Sequence, residues 1–137
     1  MPFYAIDPDD TIEVYLKEDG KVAKSKRALF YLKTLTVIEA TKLQIFLVNF
    51  HKQLEKQEVE EDQDGDESIL VMSNFINSIE KHAFVCIKSW KNLKTQKGKI
   101  VKFTKEKIMT VLPLDAILEL LTQALKRGNL SEGDEGN

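Results

Sequence analysis

Apolar residues recur at helical spacing through Thr36 to Gln57, where Leu43, Phe46, Leu47, Phe50 and Leu54 fall at i, i+3, i+4, i+7 intervals on one face. The stretch opens with Thr36-Val37-Ile38-Glu39, the pattern of a capping box. In that device the Thr side chain accepts from the N3 amide and the Glu reaches back to the cap. Ile45 and Val48 lie nearly opposite the main apolar face, so this helix needs burial on two sides. The β-hairpin predicted upstream is one candidate cover, and a second chain is the other. A subunit contact through Ile45 and Val48 is therefore an expectation of the pattern.

Upstream, Thr11–Leu16 alternates Ile12, Val14 and Leu16 against polar neighbours, the period of a half-buried strand. Glu18-Asp19-Gly20 supplies a turn. The returning strand is expected over Arg27–Lys33, with Lys21, Lys24, Lys26 and Arg27 in or beside the connecting loop. Downstream of the first helix, Glu58–Glu67 is an acidic run with Val59 as its only apolar residue, and it reads as a mobile, solvated loop. Ile69, Met72, Phe75, Ile76 and Ile79 restart the helical spacing, predicting a second, antiparallel helix over 69–88. Trp90-Lys91-Asn92-Leu93 breaks that period. A turn at Gln96–Lys99 and a strand-like piece at Ile100–Phe103 follow. Thr104 is placed to cap a short helix over 105–111, stopped by Pro113. A last helix, Leu114–Arg127, puts Ile117, Leu120, Leu121, Ala124 and Leu125 on one side and has Gly128 as its expected terminator. The fold class is α+β: an N-terminal hairpin packed on three to four helices, one domain over residues 1–130 with a disordered tail at 131–137.

At 137 residues one core is expected, burying roughly two-thirds of the unfolded surface. Hydrophobic content of 42% and charged content of 31% are those of a globular domain. A net charge of −2 selects neither nucleic acid nor an anionic membrane. The lone Cys86 cannot form an internal disulfide and suits a reducing compartment. The N-terminus lacks the pattern of a signal peptide, and no apolar run reaches the ~20 residues of a membrane span. A cytosolic setting is expected.

No catalytic constellation emerges. Aligning Gly65 with the sixth position of a calcium loop puts Glu60, Asp62 and Asp64 at positions one, three and five, but Val71 then falls where a bidentate Glu is required. His51 and His82 are isolated, and Cys86 four residues past His82 makes only a weak pair where zinc wants three or four ligands. No phosphate-binding glycine motif occurs, so neither cofactor nor metal is expected. What remains is electrostatic. Lys88, Lys91, Lys94, Lys97, Lys99, Lys102, Lys105 and Lys107 face Glu106 alone among acids, with Trp90 and Phe103 interleaved. Such a stretch can track a phosphate backbone and stack bases. It equally describes a solvated turn pinned by its aromatics, or a basic patch meeting the acidic run across a subunit contact.

The segment SWKNLKTQKGKIVKFTKEKIMTVLPLDAILELLTQAL, followed by NLSEGDE, resembles the ending of a family of small tailed-bacteriophage proteins. A Trp-x-Asn segment precedes a polar Gly turn, an apolar-x-Phe strand, a short helix and a final helix. Trp90, Asn92, Gly98, Phe103, Leu112 and Leu120 are the matched positions. The acidic start and the Leu35-Thr36 lead into the long helix are similar too. The turn departs from that pattern in being Lys-rich, and the last helix begins after a single Pro113. The family resembled is that of tail-assembly chaperones, encoded near the tape-measure protein. The resemblance implies a non-catalytic binding protein in the host cytoplasm, self-associating, that keeps tape-measure helices soluble until tail protein displaces it. A structural virion or baseplate component is the alternative, and a nucleic-acid-binding accessory protein ranks third.

Overall fold

The computed structural model describes residues 9–17, 27–59 and 65–134. Its elements are β1 (Thr11–Val14), β2 (Leu29–Lys33), α1 (Val37–Val59), α2 (Gly65–Cys86), β3 (Ile87–Lys91), α3 (Lys105–Val111) and α4 (Leu114–Asp134). The fold is α+β, and the N-terminal strands pair as expected: β1 and β2 run antiparallel with Ile12 opposite Leu32 and Val14 opposite Phe30. One further bond, from the Thr34 amide to the Asp10 carbonyl at 3.1 Å, extends the pairing. The basic loop expected at Lys21, Lys24 and Lys26 lies outside the described residues.

A third strand is the main correction. The sheet order is β1-β2-β3, with β3 antiparallel to the central β2. Residues 87 and 88, expected to end the second helix, belong to this strand. Tyr31 pairs with Ser89 and the next residue, Leu32, pairs with Ile87, so Lys88 is the extra residue of a β-bulge. The bulge resets the alternation and turns both Ile87 and Trp90, three residues apart, toward the core. That spacing imitates a helix in the sequence.

The inner face of the sheet (Val14, Phe30, Leu32, Ile87, Trp90) meets buried residues from all four helices. Helix α1 contributes Leu43, Leu47 and Phe50; α2 contributes Ile79, Ala83 and Cys86; α4 contributes Ile117, Leu120, Leu121 and Ala124; and α3 adds Ile108. Burial of these side chains, at about 25 cal/mol per Å2 of apolar surface, is the main force holding sheet and helices together. Polar ties fix α4 against the end of β1. The Lys17 amide donates to Glu119 Oε2 at 2.9 Å, and Gln123 Nε2 donates to the Tyr15 carbonyl at 3.3 Å.

The capping box forms as the sequence predicts. The Glu39 amide donates to Thr36 Oγ1 at 3.3 Å, and the Thr36 amide donates to Glu39 Oε1 at 3.0 Å. The acidic run is shorter as a connection than expected. Helix α1 continues to Val59 and α2 begins at Gly65, leaving 60–64 outside the described residues. Helices α1 and α2 are antiparallel, since Phe46 meets His82 while Phe50 meets Phe75.

Three further details differ, while the expected bounds of α3 hold. Ile100 makes one isolated bridge, to Lys94, and no strand forms over Ile100–Phe103. Thr104 occupies the N-cap of α3 with extended geometry, but its side chain makes no capping bond. Leu112 is held extended by the following Pro113, which separates α3 from α4. Gly128 does not stop α4, which runs on to Asp134; glycine costs a helix about 1 kcal/mol but does not by itself end one.

Candidate protein-binding surface

Helix α1 divides its side chains between two environments. Leu43, Leu47 and Phe50 are buried and Phe46 and Leu54 half-buried, the face expected to meet the core. Ile45 is 57% exposed and Val48 45% exposed, so the described strands β1 and β2 do not cover them. Val37 and Ile38, at 71% and 67%, join them. Ile38 precedes Ile45 by seven residues and Val37 precedes Val48 by eleven, so all four project on the side of α1 turned from the core. Of these four, the sequence pattern singles out Ile45 and Val48. The heptad spacing to Ile38 was the signal that would have added the others.

Beside that stripe, α1 and α2 leave two hollows in line. One, of about 420 Å3, has buried Leu35, Leu43 and Cys86 beneath it and exposed Lys42, Lys81 and Val85 around it. The other, of about 320 Å3, lies between Phe46, Asn49 and Gln53 of α1 and Asn74 and Phe75 of α2. Ser78 lines both. Between them the Phe46 and His82 rings meet at 5.0 Å and 31°. Burial holds His82 below the usual histidine pKa, so its neutral form stacks there.

Glu39 also borders the first hollow. Its carboxylate accepts from Lys33 Nζ at 2.6 Å as well as from the Thr36 amide. Burial works to raise its pKa, but the Lys33 hydrogen bond, the Thr36 amide and the Lys33 charge outweigh it and hold Glu39 below the usual carboxylate range. The acid is thus already engaged, and Lys42 and Lys81 set the charge of the rim.

A third hollow, of about 580 Å3, separates α1 from α4 and mixes His51, Asp115, Glu119 and Lys126 around Leu47 and Leu118. Among the described residues no group of three or more His, Cys, Asp or Glu side chains converges as a metal site. Cys86 is buried, and burial pushes its thiol up to about 12, the state of an inert packing residue.

The lysine stretch is divided between two places. Lys88 and Lys91 project from β3, while Lys94, Lys97, Lys99 and Lys102 lie on the excursion that follows, all exposed. That excursion is a small antiparallel turn. The Val101 amide donates to the Leu93 carbonyl at 2.8 Å, the Thr95 amide to Lys99 at 2.9 Å, and the Gly98 amide back to Thr95 at 2.8 Å. Gly98 takes φ +84°, which its missing Cβ permits, and Asn92 adopts φ 63° at the corner after β3. The Asn92 side chain donates to the Arg27 carbonyl at 3.3 Å, fixing that corner to the start of β2. Trp90 is only 4% exposed and edge-on to Phe103 at 4.8 Å. Its indole belongs to the core and is not presented for base stacking. Trp90, Asn92, Gly98 and Phe103 together shape this corner and the turn that follows it.

Among the described residues no helix is long and apolar enough to cross a membrane. The chain matches no protein-family model, no curated protein and no solved structure.

Proposed function

We propose that the protein is a helix-binding, non-catalytic assembly factor of the tail-assembly chaperone kind, which holds tape-measure helices in the host cytoplasm. The observation that carries this reading is the set of exposed aliphatics on α1, Val37, Ile38, Ile45 and Val48, beside an apolar groove. Each large aliphatic left in water forgoes roughly 1.5–3 kcal/mol of burial, and a partner surface restores it. The stripe serves self-association and the groove serves the client helix. Amphipathic helices are recognised in this manner, through apolar anchors laid into a groove. The C-terminal resemblance supplies the phage context. Burial of Trp90 weighs against the nucleic-acid alternative.

The test is co-expression with a tape-measure protein from the genome that encodes this chain, followed by purification of a soluble complex and mass spectrometry of finished virions. A chaperone solubilises its client and is absent from the particle. Recovery of stoichiometric protein in virions would establish the structural component instead.

A further inference from the structure

The two hollows between α1 and α2 have a spacing of their own. On α1 their linings centre near residues 41 and 49, so they are roughly 10–12 Å apart at 1.5 Å rise per residue. That matches positions i and i+7 of an incoming α-helix, about 10.5 Å. Buried Leu35, Leu43 and Cys86 make one socket apolar, and Phe46 and Phe75 do so for the other. Ser78 lines both sockets, with the Phe46–His82 ring contact between them.

The exposed charges on the rim of the first socket are cationic, and the second socket is rimmed by the amides Asn49, Gln53 and Asn74. Lys42 and Lys81 stand on opposite lips of the first socket. On α1, Lys42 and Asn49 line the same lip seven residues apart, and exposed Lys56 follows seven residues further on, beyond the second socket. The bordering acid, Glu39, is held by Lys33 and Thr36. We infer that the α1–α2 groove docks one acidic amphipathic helix of a partner protein, with two large apolar anchors seven residues apart and carboxylates flanking them. The inference rests on the helix-holding reading and names the chemistry of the client. A second copy of this chain fits less well, because a twofold contact between two grooves sets the same cationic rim against itself.

The probe is a fluorescent helical peptide with Leu at two positions seven residues apart and Glu beside each, compared with a twin carrying Lys in place of Glu. Anisotropy titration of the wild-type protein is expected to show binding of the acidic peptide and at least about tenfold weaker binding of the basic twin. Lys42→Glu with Lys81→Glu should reverse that preference, and both positions are exposed, so circular dichroism should be unchanged. Ser78→Trp, which puts an indole where one small side chain lines both sockets, should abolish binding of either peptide. Equal binding of the two peptides, or indifference to the Lys42 and Lys81 substitutions, overturns the proposal. So does a wild-type dimer that Ser78→Trp dissociates, since the groove is then filled by a second copy. A tape-measure complex that survives all three substitutions removes the groove and leaves the chaperone reading standing. Acidic-peptide binding without tape-measure solubilisation does the reverse.

Discussion

Trp90 Nε1 donates a hydrogen bond to the Val101 carbonyl at 2.8 Å, joining the end of β3 to the far side of the lysine-rich turn. The bond closes the excursion at its base while the Trp90 ring packs between Phe30 and Phe103, edge-on to each. One side chain therefore couples the sheet, the turn and the approach to α3.

Trp90→Phe keeps most of the packing and leaves the Val101 carbonyl without its donor. A destabilisation of about 1–3 kcal/mol is expected in urea denaturation, and Trp90→Ala should cost about 3–5 kcal/mol. A Phe variant as stable as wild type would show that the indole bond contributes nothing.

The pair Ile45→Lys, Val48→Lys should fold normally. Both side chains are exposed in the monomer, and such substitutions typically change stability by no more than about 0.5 kcal/mol. Circular dichroism is expected to be unchanged, while sedimentation velocity reports a smaller species than wild type. A wild-type chain that remains monomeric at high concentration removes the self-association proposal.

Thr36→Ala should lower stability by about 1 kcal/mol by taking one half of the capping box. Glu39 has a depressed folded-state pKa, so its contribution is complete above its ordinary value of 4.5 and is lost as pH falls through the lower folded value. Stability of the wild type should therefore fall more steeply on acidification than that of Glu39→Gln. Parallel acid profiles for the two proteins would contradict this.

Cys86 should resist a thiol reagent such as DTNB in the native protein and react fully in denaturant, since burial removes both access and thiolate. Rapid native labelling would mean that the α2–β3 junction opens readily.

Local chemistry was legible where the residues that decide it are neighbours in sequence. The Thr36–Glu39 box, the α1 core face and the arrest of α3 before Pro113 are all set within a few residues, by capping geometry, helical period and proline sterics. Strand β3 was not legible, because its existence depends on pairing with β2, nearly sixty residues earlier, and its bulge places Ile87 and Trp90 at a helix-like spacing. No glycine or proline marks the change from Cys86 in α2 to Ile87 in β3. The length of α4 past Gly128 was hidden for a related reason: a weak local preference yields to the cooperative continuation of the helix. On the binding surface, the sequence picked out Ile45 and Val48 as a second apolar face but left open what covers them. The tertiary arrangement carries the sheet to the opposite side of α1 and leaves that face, and the groove beside it, in solvent.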